Sequence, residues 1–396
     1  MAKIISVNAG SSSLKFQLFE MDDESVITSG VVERIGFDDA IFTIKYNGEK
    51  EQKVLPIKDH TAAVQLLLDT LIEKGIVKSL DEIKGCGHRV VQGGSYFSHS
   101  EIVTPDVEAK VESLIPLAPL HNGPNLTGYR AFRDAIPGAG QTMVFDTAFH
   151  QTMDAAHYVY PIPYEYYEKN AIRKYGAHGT SHKYVSQRVI DLLGNPEHSK
   201  IIVCHCGAGG SLSAVKDGKC VNTSMGLTPL AGIMMATRCG DVDASVVDFL
   251  IQDLGLTMPE VKDILNKKSG LLGVSGVSSD YRDVQSAAEA GNERAQLALD
   301  IFHRRVADYI GKYFVTLGGC DAIAFTAGIG ENSAYARKEI INIVKDALGI
   351  VLDEEANNKR GGEILITKPE SKVKVFVVPT NEELMIARDT KELLGL

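Results

Sequence analysis

The chain has 396 residues, of which 44% are hydrophobic and 23% are charged, and these proportions are typical of a globular protein. The length exceeds what one hydrophobic core usually supports, so two domains are expected. The formal net charge of −10 argues against a general nucleic-acid binder or a membrane-surface binder, because both need a basic surface. If the ligand is an anion, positive charge must therefore be concentrated locally.

The N-terminal segment MAKIISVNAG lacks the long apolar core and the small-residue cleavage site of a signal peptide. It has the pattern of a β-strand instead. The sequence contains no apolar run near the length of a bilayer span, and its six cysteines are scattered in the manner of reduced, mostly buried residues. We therefore expect a cytoplasmic protein with no membrane partner and no nucleic-acid partner.

Taken in chain order, apolar β-branched runs alternate with helical patterns, which predicts an α/β fold. The segment KIISVNAGSSSLKFQLFE predicts a strand, a turn at residues 8–13 and a second strand. A helix is predicted from about Thr61, with Gly75 ending it, and helical periodicity runs through residues 284–316. The later predicted strands are Met143–Phe145, Ile201–Cys204, Ala322–Thr326 and Val373–Val378.

A faint internal repeat relates the two halves of the chain. Residues 4–11 (IISVNAGS) align with residues 201–208 (IIVCHCGA). Each copy is a strand, then a turn of small residues, then a second strand. A duplicated β-rich unit, one in each domain, explains this best, and a chance match of two strand–turn–strand units is the alternative.

Three predicted strands end in turns of small residues: NAGSSS at 8–13, HCGAGGS at 205–211 and TAGIGENS at 326–333. Such turns expose consecutive backbone N–H groups that can surround phosphate oxygens. A helical pattern over residues 334–346 follows the third turn and would add the partial positive charge of a helix N-terminus. One such turn alone is usually an ordinary hairpin, but three favour a nucleotide. None matches the Walker A or the Rossmann pattern.

Charged residues accompany these turns. Arg89 lies in GHRVVQGG and Arg238 in MMATRCGDVD, and arginine presents a fork of donors that suits carboxylate and phosphate. Asp146 follows an apolar strand, a position suited to chemistry in an α/β sheet. The ordinary alternatives are surface arginines and a helix-capping aspartate. The segment KYGAHGTSH, residues 174–182, combines two histidines with small polar residues and favours a polar site over a helix interior.

The segment PTNEEL near the C-terminus carries Asn381, Glu382 and Glu383. The ordinary interpretation is a capped helix with acids in its first turn. The alternative is an acid that holds Mg²⁺ opposite a phosphate loop, directly or through water.

The chain resembles the acetate kinases and related short-chain carboxylate kinases over nearly its whole length. The resemblance rests on nine segments in the family's order: NAGSSSLKF, GHRVV, FDTAFHQTM, YGAHGTSH, NTSMGLTPL, TRCGD, SGVSSDYRDV, FTAGIGENS and PTNEEL. It implies the actin/hexokinase/Hsp70-like fold, with two ribonuclease-H-like domains and a cleft between them, and a homodimer. We expect a substrate and Mg²⁺ domain formed by residues 1–148 with the C-terminal helix 383–396, and a nucleotide-binding domain formed by residues 149–382.

The resemblance also implies roles for individual residues. Catalytic roles are expected for Asp146, His178, Arg238 and Arg89, of which Arg89 also binds the substrate carboxylate. The acyl group is expected in a pocket whose walls match Val91, Leu120, Ala177 and Pro229. Asn8 and Glu382 would hold Mg²⁺, with Mn²⁺ as the alternative metal. ATP or ADP would be bound by Lys15 and by three loops that comprise His205, Cys206, Gly207, Ala208, Gly209, Asp280, Tyr281, Arg282, Ala327, Gly328, Ile329, Gly330 and Glu331.

The implied reaction is reversible, Mg²⁺-dependent transfer of the ATP γ-phosphoryl group to acetate, which gives acetyl phosphate and ADP. The chain departs from the family near the site at Gln92, Gly123, Ala177, Ala208 and Ala231. The family usually has Phe where this chain has Ala177, so the acyl pocket is either enlarged for propionate, butyrate or a branched acid, or filled by another side chain. A non-catalytic ATP-binding relative is the remaining alternative.

Overall fold

The computed structural model describes residues 2–396. The chain divides into two compact units. One comprises the residues up to Gln151 together with Asn381–Leu396, and the other comprises Thr152–Thr380. The α/β fold class expected from the sequence is confirmed, since each unit contains one sheet with helices packed on it.

The elements are as follows. The strands are β1 (Lys3–Ala9), β2 (Ser13–Glu20), β3 (Ser25–Glu33), β4 (Ala40–Tyr46), β5 (Glu49–Leu55), β6 (Ile83–Val90), β7 (Glu101–Ile102), β8 (Gly140–Phe145), β9 (Lys200–Cys206), β10 (Gly210–Lys216), β11 (Lys219–Thr223), β12 (Ala322–Thr326), β13 (Ile364–Leu365) and β14 (Lys374–Val377). The helices are α1 (His60–Glu73), α2 (Pro105–Ser113), α3 (Asn122–Ala135), α4 (Ala155–Tyr158), α5 (Glu165–Asn170), α6 (Gly179–Leu192), α7 (Ser245–Gln252), α8 (Met258–Lys267), α9 (Gly270–Ser275), α10 (Tyr281–Glu289), α11 (Glu293–Leu317), α12 (Ala327–Asn332), α13 (Ala334–Leu348), α14 (Glu354–Asn357) and α15 (Glu382–Leu394).

The first unit is built on a sheet with the strand order β5-β4-β3-β2-β1-β6-β8-β7. Strand β1 is antiparallel to β2 and parallel to β6, and β6 is parallel to β8. Strand β2 alternates, with Leu14, Phe16 and Leu18 buried and Lys15 exposed, as a strand with one covered face must. Helices α1 and α3 contribute to the core on that side, and the carboxyl ends of β1, β6 and β8 form one edge of the sheet.

The second unit repeats this topology with the order β11-β10-β9-β12-β14-β13. Strand β9 is antiparallel to β10 and parallel to β12, and β12 is parallel to β14. The five-strand pattern of β3-β2-β1-β6-β8 therefore recurs as β11-β10-β9-β12-β14. The sequence repeat between residues 4–11 and 201–208 is confirmed as a structural repeat, because each copy is the central hairpin of its sheet.

Three local predictions need correction. The helical pattern at 284–316 is two helices, α10 and α11, because the chain turns at Gly291 and the Asn292 side chain caps α11. The turn predicted at 326–333 is largely the short helix α12. The segment KYGAHGTSH is a polar site whose last four residues, 179–182, form the first turn of α6, with His178 as the residue before that helix.

The predicted first helix is confirmed. It begins at His60 after the Asp59 side chain accepts a hydrogen bond from the backbone N–H of Ala62, and Gly75 follows its end with a φ of 66°. Across residues 2–396, none of the helices combines the length and the apolar character that crossing a membrane requires.

Candidate active site

In the first unit, four of the sequence-predicted residues line one small cavity: Asn8, Lys15, Arg89 and Glu382. Strand pairing brings them together. Asn8 is the penultimate residue of β1 and pairs with Lys15 across the hairpin, and Arg89 lies near the end of the parallel neighbour β6. Glu382 is the first residue of α15, where the Asn381 side chain accepts from the N–H of Leu384. The capping role expected for Asn381 is thus confirmed, and it fixes Glu382 in the first turn.

Arg89 and Asp146 form a doubly hydrogen-bonded ion pair. The Arg89 Nε donates to Oδ1 at 2.9 Å, and Nη2 donates to Oδ2 at 2.6 Å. Asp146 is only 1% exposed, and its backbone N–H donates to the carbonyl of Val90, which holds it beside the end of β6. Burial disfavours the charge on Arg89, but the charge of Asp146 and its hydrogen bonds outweigh burial and raise the pKa of Arg89. The pair therefore keeps one guanidinium edge fixed at the cavity.

Glu382 is the carboxylate at this cavity whose pKa is raised. Burial is the largest cause and raises its pKa to about 7, since burial disfavours the charged form. Arg89 opposes the shift, and the negative charges of Asp146 and Glu383 add to it. A cation placed beside Glu382 would relieve this cost, so the group is suited to binding one.

The donor set of this cavity fits Mg²⁺. Asn8 and Glu382 supply an amide oxygen and a carboxylate, and hard divalent cations prefer oxygen ligands. In the part of the chain that the structure describes, no group of three or more His, Cys, Asp or Glu side chains could hold a metal ion. Mg²⁺ commonly uses one or two protein ligands and completes its shell with water and substrate phosphates, so two ligands suffice.

Val91 and Leu120, the acyl-pocket residues predicted in this unit, differ in exposure. Val91 is half-buried, and its N–H donates to Asn125 Oδ1 at 3.2 Å. Leu120 lies in the turn before α3 and is 70% exposed. Gln92, one of the departures from the family, is buried and hydrogen-bonded. Its Oε1 accepts from the N–H of Gly94, and its own N–H donates to Asn122, so this substitution is accommodated in the loop after β6.

In the second unit, residues from the three predicted nucleotide loops line a single cavity of about 710 Å³, within the size range of cofactor sites. The first turns of α10 and α13 also face this cavity, and both polar and apolar side chains line it. The predicted residues that line it are Gly207, Ala208, Asp280, Tyr281, Arg282, Gly328 and Ile329. Further lining residues that the sequence did not identify include Gln285, Asn332, Tyr335 and Arg360.

Other residues of those loops do not line the cavity but pack beneath the loops or hydrogen-bond to their backbone. The side chain of Cys206 is buried in the apolar core. Ala327 opens α12 with a φ of 64°, and Gly330 is buried against Phe325. The Glu331 carboxylate accepts from the N–H of Ala327 at 2.7 Å, so its part is to close the first turn of α12.

A third group of predicted residues surrounds Gly209 in the same unit. A Cβ at Gly209 would lie 2.7 Å from Arg238 Nη2 and 3.5 Å from His178 Nε2, so only glycine permits this close approach. His178 adopts a left-handed conformation with a φ of 60°, and its ring stacks on that of His205 at 4.2 Å. The geometry places an arginine, a histidine edge and the 207–209 turn at one point.

Arg238 is a half-buried cation at this point. Its Nη1 donates to the carbonyl of Pro229, and within residues 2–396 no carboxylate pairs with it. Partial burial lowers its pKa from the ordinary value, although arginine stays charged in proteins. A half-buried guanidinium without a carboxylate is a favourable place for an anion.

Ala177, the residue before this histidine, is covered. It is 4% exposed and packs in an apolar cluster with Met225 and Met235. Both methionines are themselves buried, and long flexible thioether side chains readily fill irregular space. Ala177 and the two methionines are therefore packed together in the apolar interior of this unit.

No individual catalytic or binding role was predicted for five polar residues: Ser181, His182, Ser211, Ser213 and Thr380. Three of them, Ser181, His182 and Ser211, lie in the segments 174–182 and 205–211, which the sequence marks as a candidate polar site and a candidate phosphate-binding turn. The five residues hydrogen-bond to the predicted histidines or to each other. A signal was present in β10, because Ser211 and Ser213 are two residues apart and so point to the same face of a strand. Three-dimensional pairing with α6 was needed to show that this face meets His178 and His182.

Comparisons with known proteins show the family to which the chain belongs. Residues 3–388 match the group described as the Acetokinase family. An acetate kinase from Geobacillus kaustophilus is 56% identical over 100% of both chains. A crystal structure of acetate kinase from Porphyromonas gingivalis has a TM-score of 0.95 at 46% identity, with all of both chains covered. A propionate kinase from Francisella tularensis has a TM-score of 0.93 at 41% identity, covering 99% of this chain and 100% of that one. The actin/hexokinase-like fold class expected from the sequence is thereby confirmed.

Proposed function

The chain belongs to the acetokinase family, and from this premise we propose that it reversibly transfers the γ-phosphoryl group of ATP to acetate, giving acetyl phosphate and ADP. The observation that carries the proposal is the bidentate Arg89–Asp146 pair at a cavity shared with Asn8, Lys15 and Glu382. Such a group offers a fixed cation for a carboxylate next to oxygen ligands for a metal. That combination suits a reaction between two anions.

The carboxylic acid substrate requires a cation such as Arg89 to bind and orient it, and it does not require a general base to remove a proton. A carboxylic acid has an ordinary pKa of about 4, so acetate is already ionised and nucleophilic at neutral pH. We assign Arg89 to the substrate carboxylate and Asp146 to positioning the guanidinium, since Asp146 already accepts two hydrogen bonds from it. The enzyme then needs to overcome charge repulsion, which orientation and cations achieve.

Arg238 and His178 are assigned to the transferring phosphoryl group. Charge spreads over its equatorial oxygens during in-line transfer, and donors placed beforehand stabilise that charge. The adjacency of Arg238 Nη2 and His178 Nε2 at Gly209 supports this assignment. Lys15 is assigned to nucleotide phosphate.

Asn8 and Glu382 are the residues that would hold Mg²⁺, with Mn²⁺ as the alternative. When bound, the metal would supply neutralisation of phosphate charge and fix the phosphate orientation. Glu382 would have to lose its proton to take part, since a ligating carboxylate is ionised.

The nucleotide is assigned to the 710 Å³ cavity of the second unit. Its apolar lining from Leu271, Ile329 and Tyr335 suits a base, and its glycine turn offers backbone donors to phosphate. The N-terminus of α13, a fifteen-residue helix capped by Ser333, adds partial positive charge for phosphate. The departure at Ala208 removes an amide side chain but keeps the backbone of that turn.

Acetate is favoured over longer acids by the packing around Ala177. Ala177 is buried in a cluster with Met225 and Met235, and these flexible side chains are suited to occupy the space that a missing phenyl ring would leave. The alternative, a propionate, butyrate or branched-acid kinase, stays testable, because a propionate kinase shares the fold at a TM-score of 0.93. An enlarged pocket would reward each added methylene with about 10–200-fold in kcat/KM.

We further propose a homodimer in the cytoplasm, without nucleic-acid or membrane partners. Helix α7 supports the dimer, because its sequence SVVDFLIQ is mainly apolar and none of its residues is buried. Exposed apolar side chains at Val242, Phe249, Leu254 and Met258 continue this surface, and exposed apolar patches of this kind mark interfaces. The net charge of −10 supports the absence of nucleic-acid binding.

The experiment is acyl phosphate formation from acetate and Mg-ATP, trapped as the hydroxamate with hydroxylamine. Arg89→Ala and Arg238→Ala should each lose on the order of 10²-fold in kcat/KM, the loss found for a single preorganised donor. Arg34→Ala is the matched control, since Arg34 pairs with Asp39 on the exposed surface. A near-normal rate for Arg238→Ala would reject its assignment, and ATP binding without acyl phosphate would indicate the non-catalytic alternative.

A further inference from the structure

A chain of buried hydroxyl groups connects two histidines behind the phosphoryl-transfer point. Ser211 Oγ lies 2.8 Å from His178 Nδ1 and 2.7 Å from His182 Nε2. His182 Nδ1 in turn lies 2.8 Å from Ser213 Oγ. His182, Ser211 and Ser213 have no measurable exposure, so their polar atoms need hydrogen-bond partners within the protein.

Proton counting couples the two rings. A serine hydroxyl has one proton and can donate only one hydrogen bond, so Ser211 donates to one ring nitrogen and accepts from the other. If it donates to His178, then His178 carries its proton on Nε2, and His182 donates to Ser211 from its own Nε2. If it donates to His182, both rings carry the proton on Nδ1 instead. The neutral tautomers of His178 and His182 therefore change together.

The surroundings of His178 decide between these two states when an anion is bound. Its Nε2 edge faces Gly209 and the Arg238 guanidinium, where the proposed function places phosphoryl oxygens. An unprotonated Nε2 would direct a lone pair at those oxygens, whereas Nε2–H donates to them. The nearby positive charge of Arg238 disfavours the imidazolium form. The charged and titratable groups around His178 in this unit include Arg238, the stacked His205 and, through Ser211, His182.

We propose that Ser211, His182 and Ser213 are positioning residues that hold His178 as the neutral Nε2–H tautomer. Ser213 donates to His182 Nδ1, His182 Nε2–H donates to Ser211, and the Ser211 hydroxyl donates to His178 Nδ1. This arrangement leaves a donor at the phosphoryl group without adding a charge next to Arg238. The inference rests on the proposed role of His178 in the carboxylate kinase reaction.

The direct test is the ¹⁵N spectrum of histidine ring nitrogens in the wild-type enzyme with Mg-ADP and acetate, assigned with His178→Gln. Protonated and unprotonated ring nitrogens are clearly separated in such a spectrum. The expected result is a protonated Nε2 and an unprotonated Nδ1 on His178 near pH 8. A protonated Nδ1 with an unprotonated Nε2 would overturn the proposal, whether or not acyl phosphate is formed.

A second test uses Ser211→Ala. Loss of the hydroxyl donor should let the His178 ring proton move to Nδ1 in the ¹⁵N spectrum and lower kcat by about tenfold, less than the loss of about 10² expected when a donor is removed outright. Ser211→Thr keeps the hydroxyl and should restore both the Nε2–H tautomer and the rate. Ser186→Ala is the control, because Ser186 is equally buried on α6 but its hydroxyl donates to the carbonyl of Lys183. An unchanged His178 tautomer and kcat in Ser211→Ala would overturn the proposal, and failure of acyl phosphate formation in the wild type would instead reject the proposed function.

Discussion

Replacing Asp146 by Asn removes one charge from a buried ion pair and leaves the shape of the side chain almost unchanged. In the native pair, both carboxylate oxygens accept from Arg89, at 2.9 and 2.6 Å. The amide of Asn can accept only one of these bonds, and its NH₂ group then faces a guanidinium donor. Arg89 is left with an incompletely compensated charge in a desolvated site.

The loss of stability expected for Asp146→Asn depends on how deeply the side chains of Asp146 and Arg89 are buried. Breaking a buried ion pair costs about 3–5 kcal/mol, while an exposed pair contributes about 0–1 kcal/mol. The Asp146 side chain is 1% exposed and that of Arg89 is 22% exposed, so water screens the arginine in part. We therefore expect a loss near the lower end, about 3 kcal/mol, which in a domain of 150–250 residues corresponds to a fall in Tm of about 6–12 °C.

Thermal unfolding followed by circular dichroism, together with the hydroxamate assay, measures both consequences. Asp39→Asn is the matched control, because the Arg34–Asp39 pair has the same bidentate geometry with side chains that are 50% and 63% exposed. Its Tm should stay within about 2 °C of the wild type. If Asp146→Asn also leaves Tm and kcat/KM for acetate nearly unchanged, then Asp146 does not position Arg89 and the reasoning fails.

Three further predictions follow from the two units. Because burial raises the pKa of Glu382 to about 7 from 4.5, its contribution to stability is full below about pH 4.5 and is lost as the pH rises through 7. Calorimetry should accordingly show Mg²⁺ binding that releases nearly one proton near pH 6 and almost none near pH 8.5, and equal release at both would contradict this. Gly209→Ala should lower kcat by about 10²-fold by displacing Arg238, whereas Gly311→Ala, where a Cβ meets nothing within 4 Å, should keep full activity. Phe249→Asp should shift the protein to monomers in light scattering, and an unchanged mass would remove α7 from the interface.

Much of the fold was predictable from the sequence, because short runs of apolar residues predict the central strands of both sheets. Strand β12 was predicted with its observed bounds, and β9 was predicted within two residues at its carboxyl end. Element boundaries were predicted wrongly where a short turn motif lies inside a longer helical pattern. The break between α10 and α11 depends on Gly291 and Asn292, a turn signal that lay inside a long helical pattern.

The active-site candidates were predicted in part for a similar reason. Arg89 and Glu382 stand near the end of a strand and at the start of a helix, positions that local sequence identifies, whereas the role expected for Asn8 came from the resemblance to the family. The segments 174–182 and 205–211, which contain His182 and Ser211, were marked from the sequence, but nothing local showed that these two residues and Ser213 form one hydrogen-bonded relay. Only the packing of α6 against β9 and β10 brings them to one point.

The packing at Ala177 shows why one substitution cannot be interpreted from the sequence alone. From the sequence, a small residue in place of Phe predicts either an enlarged pocket or a gap filled by a neighbour. The cluster with Met225 and Met235 favours the second outcome. Whether a lost side chain leaves a cavity depends on how well its surroundings fill the space.

The central claim is that this chain is a carboxylate kinase whose best acid is acetate, and one series of rate measurements tests it directly. We would determine kcat/KM for acetate, propionate, butyrate and isobutyrate with Mg-ATP, trapping each acyl phosphate with hydroxylamine. The account predicts a maximum at acetate, with Ala177→Phe destabilising the protein because the site beside Met225 and Met235 is already filled. A maximum at a longer acid that Ala177→Phe moves back toward acetate would contradict it.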